Sequence, residues 1–465
     1  MLRPALAVLS LLSFAATTSA QVAMNLLATV DVSSTANGAN PEYIGNNPIA
    51  VAWNGTDLFL AGFNSSGAAA NAAICKISNA LTTPTPNAAF GIVGGTPNVR
   101  GYIGLDVLGS TLVASYDPGA VSPVGITAWD LNGVSLWAKN GRGGSGVAFD
   151  PGFFGLDSGV GWTTFGAGRR FLQNAATGVD IYDATNGMIF NPTPSPGTNW
   201  RDMEFDGQTG DIWLRSNNHV VAATRVAGNT LVNQRIVVTP ATAANTVVAQ
   251  NLAFIRQPAG EIVFWNDRAV TQAGQSFANI VLCNRASDGV PVSVAWGTTL
   301  PATGNAAYDF SYDEASKTLA ICDFWNRAVY IYQVTVFAPY GAGCAGQGNF
   351  TPLLEGSGSA VGNGVLTYTL SQTAPLSVGL FAFGDTQASA PLPFPYFCNV
   401  LVAPLILVGG VFVTPPGPSG SGVGSISIPV PVGVSGYNLT AQGFVLENAD
   451  LAQTVASNGV FIQLL

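Results

Sequence analysis

One pattern returns along the chain about every 50 residues, and this internal repeat constrains the fold more than any other feature. Residues 200–214 and 307–321 align without a gap, so that Asp202 falls on Asp309 and Ile212 falls on Leu319. Further copies begin near residues 49, 102, 146 and 251. Each copy contains two short apolar runs and then a third, with turn residues between them. The pattern predicts a chain of repeated all-β units.

A unit of about 50 residues with three or four short strands is typical of one blade of a β-propeller. An open sheet of so many strands would expose edges that aggregate, whereas a closed ring hides them. We therefore predict a six-bladed propeller over residues 21–337, or seven blades if the Gly-rich insertion near 151–168 hides one. The segment 26–32 precedes the first copy, and we expect it to close the ring as the outer strand of the last blade.

The sixth copy contains the sequence LAICDFWNRAV at residues 319–329. This order of a hydrophobic strand, an Asp, an Asn-Arg turn and a Val resembles the NHL-type propeller repeat. The fifth copy matches more loosely, with WNDRAV at 265–270. The resemblance extends over residues 22–336 in architecture but over only two or three blades in motif. It implies the fold and leaves the function open, because such propellers serve as binding platforms, sensors and hydrolases.

The repeat ends near residue 337, and residues 338–465 form a second predicted domain. Alternating apolar residues predict strands at 365–370, 378–383, 425–432 and 460–464, which suits a small β-sandwich. The domain looks like a C-terminal module of exported bacterial proteins that opens with Gly-x-Gly-Cys. The three glycines at 341, 343 and 346 also match a dinucleotide-binding fingerprint, but the residues that follow cannot form the required helix.

The chain has five cysteines, and only Cys344 and Cys398 lie in this second domain. We predict that these two form a disulfide, since export permits one. Cys75, Cys283 and Cys322 fall on predicted blade strands and are expected to be buried as small hydrophobic residues.

Residues 1–20 have a single positive charge, a short apolar core and small residues before Gln21. This pattern predicts a signal peptide cleaved after Ala20, and hence a protein that is secreted or held at the cell surface, or that stays in the periplasm. The apolar run at 400–413 is broken by Pro404 and two glycines, so it predicts two buried strands and not a transmembrane segment.

The net charge is −9, and the chain contains three lysines and one histidine. An acidic chain without a basic stripe is an unlikely partner for nucleic acid or an anionic membrane surface. The single histidine, His219, follows a predicted turn and excludes a zinc or iron centre that requires several imidazoles. No cofactor motif is present in the sequence.

Four acidic residues, Asp106, Asp202, Glu204 and Asp309, fall on the predicted innermost strands, where blades converge on a central channel. A cluster of oxygen ligands suits Ca²⁺, and six-bladed calcium-dependent lactonases and esterases hold their metal at such a channel mouth. The alternative is that Asp202 and Asp309 form hydrogen bonds to the next blade. Their equivalent positions favour this alternative, because structural roles repeat along a propeller.

Five tryptophans, Trp53, Trp162, Trp200, Trp265 and Trp325, lie near predicted strand ends or turns. An exposed indole can stack on a sugar ring, whereas a buried one packs between blades. The low charge content favours binding over catalysis. We predict an exported binding or scaffold protein that recognises a carbohydrate, a cell-surface polymer or a protein. The alternative is a Ca²⁺-dependent hydrolase or lyase acting at the channel.

Overall fold

A computed structural model describes residues 21–32, 47–63, 74–87, 90, 102–116, 122–141, 146–150, 159–163, 169–174, 179–183, 200–216, 221–227, 230–238, 251–266, 281–297, 307–392, 398–450 and 453–465. The predicted signal peptide and His219 lie outside these residues. Strands dominate the described part, and its helical turns are short 3₁₀ segments at Gln347–Asn349 and Glu447–Ala449. Within it, no helix is long and apolar enough to cross a membrane.

The first strand and the first three blades follow the order of the repeat, and each of these blades is an antiparallel sheet. The strands are β1 (Gln21–Asp31); β2 (Asn47–Trp53), β3 (Leu58–Phe63), β4 (Ile74–Ser78) and β5 (Thr85–Asn87) in blade 1; β6 (Tyr102–Leu108), β7 (Thr111–Tyr116), β8 (Ser122–Asp130) and β9 (Ser135–Gly141) in blade 2; and β10 (Val147–Asp150), β11 (Gly159–Thr163), β12 (Arg169–Asn174) and β13 (Val179–Asp183) in blade 3.

Blades 4 to 6 continue the pattern, although blade 5 has a three-stranded sheet. Their strands are β14 (Trp200–Phe205), β15 (Asp211–Ser216), β16 (Val221–Ala227) and β17 (Thr230–Val238) in blade 4; β18 (Leu252–Gln257), β19 (Gly260–Asn266) and β20 (Val281–Arg285) in blade 5, followed by β21 (Ser293–Trp296); and β22 (Ala307–Asp313), β23 (Thr318–Asp323) and β24 (Ala328–Tyr340) in blade 6.

The innermost strands form a closed ring, which establishes the propeller. Contacts run from β2 to β6, β10, β14, β18 and β22 in turn, and β22 contacts β2 again. Apolar side chains fill the spaces between blades; for example, Trp213 of blade 4 packs with Phe254 and Trp265 of blade 5 in one buried cluster. The described part of the 151–168 insertion, β11, belongs to blade 3. The described strands therefore form six blades.

Strand β1 closes the ring, as the sequence predicts. It pairs antiparallel with β24 from Gln21 to Asp31, and so becomes the outer strand of blade 6. Its first four residues also pair in parallel with β21, the strand that follows blade 5. β1 therefore joins two blades, and the second of these pairings was not expected from the sequence.

Strand β24 crosses the predicted domain boundary at 337/338 without a break and pairs with β33 through residues 338–340. The C-terminal strands are β25 (Leu353–Gly358), β26 (Val365–Thr373), β27 (Val378–Gly384), β28 (Thr386–Pro391), β29 (Asn399–Ala403), β30 (Leu407–Val413), β31 (Gly422–Pro429), β32 (Asn438–Leu446) and β33 (Thr454–Gln463). One sheet has the order β24-β33-β32-β27-β30 and a second has the order β25-β26-β31. Tyr368 of the second sheet shares a buried cluster with Phe381 and Val460 of the first. These two sheets therefore enclose one core.

The predicted disulfide between Cys344 and Cys398 is present, with Cα atoms 5.5 Å apart. It ties the entry of the C-terminal domain to the start of β29. The apolar run at 400–413 forms β29 and β30, as expected, but only in part with the expected burial. Leu401 and Val402 are buried, whereas Val411 and Val413 of β30 are exposed, because they alternate with Phe412, which packs against the core.

Cys75, Cys283 and Cys322 are free and buried. Burial raises the pKa of the Cys75 thiol to about 12 and raises the pKa of Cys283 and Cys322 well above the ordinary value. Because the thiolate is the reactive form, these thiols should not react in the folded protein.

We expect no thiol to react with Ellman's reagent at about pH 8 in the native protein, and three to react in denaturant without reductant. Rapid reaction of any thiol in the native state would contradict the burial. Fewer than three thiols after unfolding would show that another disulfide exists.

Candidate functional site

Three aspartates on alternate blades each join their own blade to the next. In each of them, Oδ1 accepts a hydrogen bond from the following backbone N–H, and Oδ2 accepts one from the innermost strand of the next blade. The pairs are Asp106 with Val107 (2.8 Å) and Phe149 (2.6 Å), Asp202 with Met203 (2.9 Å) and Leu252 (2.9 Å), and Asp309 with Phe310 (3.0 Å) and Val51 (2.7 Å). Blades 2, 4 and 6 are therefore attached in the same way to blades 3, 5 and 1.

Asp202 and Asp309 make the inter-blade hydrogen bonds that the sequence offered as the structural alternative. Asp106 makes the same pair of bonds, although its part of the sequence aligns less closely. A carboxylate is well suited to this position because its two oxygens can satisfy two buried N–H groups at once. The three residues consequently have a structural role at the blade junctions, whatever else they do.

Residues of the neighbouring blades pack closely against two of these aspartates or form hydrogen bonds with them. A Cβ atom at Gly146 would lie 2.3 Å from Oδ1 of Asp202 and 2.6 Å from its Cα, so only glycine fits where blade 3 begins. Asn251 donates from Nδ2 to Oδ1 of Asp309 over 2.7 Å. Asn251 immediately precedes Leu252, whose N–H binds Asp202, so blade 5 contacts two of the three aspartates.

Glu204 lies two residues after Asp202 on β14, and the structure brings all four predicted acids into electrostatic contact. Burial raises the pKa of Glu204 well above its usual range, and Asp106, Asp202 and Asp309 raise it further. Burial raises the pKa of Asp106 and of Asp202 to about 7, against the opposing effect of their N–H donors. The pKa of Asp309 rises for the same reason and because Asp202 is near. The channel therefore concentrates carboxyl groups that favour the protonated form.

Metal binding by Asp106, Asp202, Glu204 and Asp309 stays a prediction. Among the described residues, no group of three or more His, Cys, Asp or Glu side chains is placed to hold a metal ion. Both oxygens of each aspartate already accept backbone hydrogen bonds, and a Ca²⁺ ion would have to share them.

The tryptophans separate into two kinds. Trp53 and Trp265 are buried, and their Nε1 atoms donate to Thr318 Oγ1 and Asn284 Oδ1, each over 2.7 Å. These two therefore pack the propeller. Trp325 is 56% exposed. The side chains of Trp162 and Trp200 lie outside the described part of the structure.

Trp325 belongs to a row of three rings that we call the aromatic platform: Tyr308, Phe324 and Trp325. The rings of Tyr308 and Phe324 are stacked with centroids 4.5 Å apart, and Trp325 meets Phe324 edge-on at 4.8 Å. The turn is held by Asp323, whose Oδ1 accepts hydrogen bonds from the backbone N–H groups of Trp325 and Asn326 at 3.0 Å. Asp323 is fully buried, so the turn is anchored.

The aromatic platform lies at the same end of blade 6 as the channel residue Asp309. Tyr308 directly precedes Asp309 at the start of β22, and the Phe324–Trp325 turn follows the end of β23, which pairs antiparallel with β22. The exposed indole therefore lies at the end of blade 6 that also carries Asp309.

Two arginines join blades in ways that the sequence did not suggest. Arg215 of blade 4 is fully buried, lies 4.9 Å from the ring centroid of Trp265 and donates from Nη2 to the carbonyl of Asn266 over 3.1 Å. Arg256 of blade 5 forms ion pairs with Asp206 and Glu261. Both basic groups serve blade packing and are not available at the channel.

No family model and no curated protein matches this chain. Among solved structures, it is similar to the β-propeller domain of Myceliophteria thermophila Cps50 (Swd1), with a TM-score of 0.37 and 8% sequence identity. The match covers 62% of this chain and 84% of that chain.

Proposed function

We propose that this protein is an exported binding or scaffold protein whose propeller recognises a neutral carbohydrate polymer at the face that bears the aromatic platform. The observation that carries the proposal is Trp325, a large exposed indole fixed on two further rings. Indole rings stack on the apolar faces of sugars and offer an N–H donor at the edge. The predicted signal peptide and the disulfide are consistent with an extracellular place of action.

The charge distribution supports a neutral ligand over an anionic one. Carboxyl groups converge on the adjacent channel, whereas the buried Arg215 and the partly exposed Arg256 are engaged in contacts between blades. The chain has a net charge of −9, so an acidic polymer or a nucleic acid would meet overall repulsion. Cell-surface proteins are the alternative ligand class, because exposed Trp side chains are also enriched at protein interfaces.

The second candidate is the Ca²⁺-dependent hydrolase or lyase. It is favoured by one observation, the convergence of Asp106, Asp202, Glu204 and Asp309 on a channel where burial raises their pKa values. Crowded carboxyl groups of this kind can be neutralised by a cation as well as by protons. The hydrogen bonds that the three aspartates make between blades explain the same cluster without a metal.

Replacing Trp325 by Ala should weaken binding to a soluble neutral polysaccharide about 10-fold, because the loss of one stacked aromatic ring costs on the order of 1.4 kcal/mol. Affinity electrophoresis through gels containing xylan, a β-glucan or glycol chitin would measure this. Tyr437→Ala is the matched control, since Tyr437 is an exposed aromatic residue of the C-terminal domain.

We expect Tyr437→Ala to bind as the unaltered protein does and Trp325→Phe to lose less than Trp325→Ala. The proposal is wrong if no polysaccharide of the panel retards the unaltered protein, or if the two alanine variants are equally affected. Unchanged melting temperatures would show that Trp325→Ala acts on the ligand and not on folding.

A further inference from the structure

The C-terminal domain has an unusual distribution of charge. Residues 338–465 contain no Lys, Arg or His, and their acidic residues are Glu355, Asp385, Glu447 and Asp450. Between Thr386 and Leu446 there is no Asp, Glu, Lys, Arg or His at all. Strands β28 to β32 therefore present a surface without charge, in a protein whose net charge is −9.

Six large apolar side chains in or beside this uncharged region are exposed. They are between 47% and 71% exposed, and we call them the apolar edge: Leu376, Leu405, Ile406, Val411, Val413 and Val423. Soluble proteins rarely expose many large apolar residues close together unless the surface binds something.

Val411 and Val413 lie on β30 and Val423 lies on β31, the edge strands of the two sheets, while the other three residues lie in the adjoining loops. Among the described strands, β30 pairs only with β27, and β31 pairs only with β26. The two edge strands lie against each other, because a Cβ at Gly410 would come within 2.6 Å of Ile426 Cδ1. Neither edge carries the lysine or other charge with which proteins usually protect exposed edge strands.

The electrostatics favour one occupant. A surface without Lys or Arg gains nothing from an anionic membrane, and it offers a charged protein partner no ion pair. The same edge on a second copy is uncharged, apolar and always present at equal concentration. We propose that the apolar edge is the interface of a two-fold symmetric dimer of this chain, in which the β30 strands of the two copies pack antiparallel.

The geometry of β30 favours a closed dimer over an open fibre. The pairing of β30 with β27 is interrupted by a bulge between Gly409 and Phe412, where Gly410 has a φ of +68°. A bulge limits the length over which an edge strand can add another strand. Asp385 follows β27 at the end nearest Leu405, so antiparallel packing would place the two copies' Asp385 at opposite ends of the contact.

The test is sedimentation velocity on the exported chain from about 1 to about 100 μM, where a dimer of moderate affinity dissociates measurably. We expect a reversible monomer–dimer equilibrium for the unaltered protein. The double variant Val411→Lys, Val413→Lys should weaken the dimer at least about 100-fold, since it would place four positive charges in a dry contact. Both positions are exposed, so the monomer should melt as before.

Val365→Lys is the control, because Val365 is also exposed on a strand but lies on the central strand β26, at the end that pairs with Pro429. It should dimerise like the unaltered protein. A monomer at every concentration would overturn the proposal, and so would equal dimerisation of the double variant. The unaltered protein could instead sediment with neutral phosphatidylcholine vesicles while the double variant does not. That result would show that the apolar edge binds a lipid surface, and it would also overturn the dimer proposal.

Discussion

The free energy of unfolding should fall by several kcal/mol as the pH rises from about 4 to about 7, which is opposite to the usual behaviour of a protein with paired carboxylates. The cause is the raised pKa of the carboxyl groups in the channel. The pKa of Asp106 and of Asp202 is raised to about 7 in the folded state, whereas an unfolded Asp titrates near 3.9. Between these values the folded chain holds protons that the unfolded chain has released.

The sign follows from proton linkage, because the state that binds more protons is disfavoured as the pH rises. A shift of about 3 pKa units in a buried group corresponds to roughly 4 kcal/mol at most. The loss begins above about pH 4 and is complete above about pH 7 for these two residues. Asp206 acts in the opposite direction, since its bonds to Arg256 lower its pKa, and that contribution is lost only as the pH falls below about 4.

Urea unfolding monitored by tryptophan fluorescence at half-unit pH steps, in buffers containing EDTA, would measure the profile. A parallel series with excess Ca²⁺ tests the metal. We expect the two profiles to coincide, because backbone N–H groups already bind the aspartate oxygens. If Ca²⁺ restores stability at about pH 8, the ion replaces the protons and the calcium-dependent enzyme becomes the better proposal. Stability that rises steadily from about pH 4 to pH 7 would contradict the raised pKa values.

The sequence predicted the propeller because a repeat reports the same local environment several times. The gapless match of Asp202 with Asp309 indicated a shared structural role, and the structure shows that role at both positions. It could not indicate that Asp106 makes the same inter-blade bond, since the bond from Phe149 depends on how blades 2 and 3 approach each other. The need for glycine at position 146 was unpredictable for the same reason, because it depends on how closely Gly146 approaches Asp202.

Exposure was the property that the sequence predicted least well. Trp53, Trp265 and Trp325 all come at or just after the end of an apolar run, yet two are buried and one is exposed, because burial depends on the neighbouring blade. Val411 and Val413 occur in an apolar run that favoured a buried strand. An apolar run does not show which faces of a strand are covered, and in β30 the face that carries Phe412 packs against the core while the face that carries the two valines does not.

Asp202→Ala should lower the free energy of unfolding by about 2–6 kcal/mol at about pH 4, where the raised pKa of this carboxyl group does not yet count against the folded state. The substitution leaves the buried N–H groups of Met203 and Leu252 without the acceptor they have now, and each such group costs about 1–3 kcal/mol. Asp288→Ala is the control, because Asp288 lies at the surface and pairs with Arg285 of the same turn. That exposed pair should contribute less than about 1 kcal/mol.

The double variant Asp202→Ala, Asp309→Ala tests whether the two aspartates act independently or interact across the channel. From sequence, blades 4 and 6 are not neighbours and the two costs should add. The structure predicts coupling, since Asp202 raises the pKa of Asp309. In addition, Asn251 donates to Asp309 and is adjacent to Leu252, whose N–H binds Asp202. Each single variant removes the same repulsion between the two carboxyl groups, and the double variant can remove it only once. The double loss should therefore exceed the sum of the single losses, and the excess should grow from about pH 5 to about pH 9 as the carboxyl groups ionise.

A sum that holds at every pH would mean that the two aspartates do not interact across the channel, and the pH profile expected above would then need another origin.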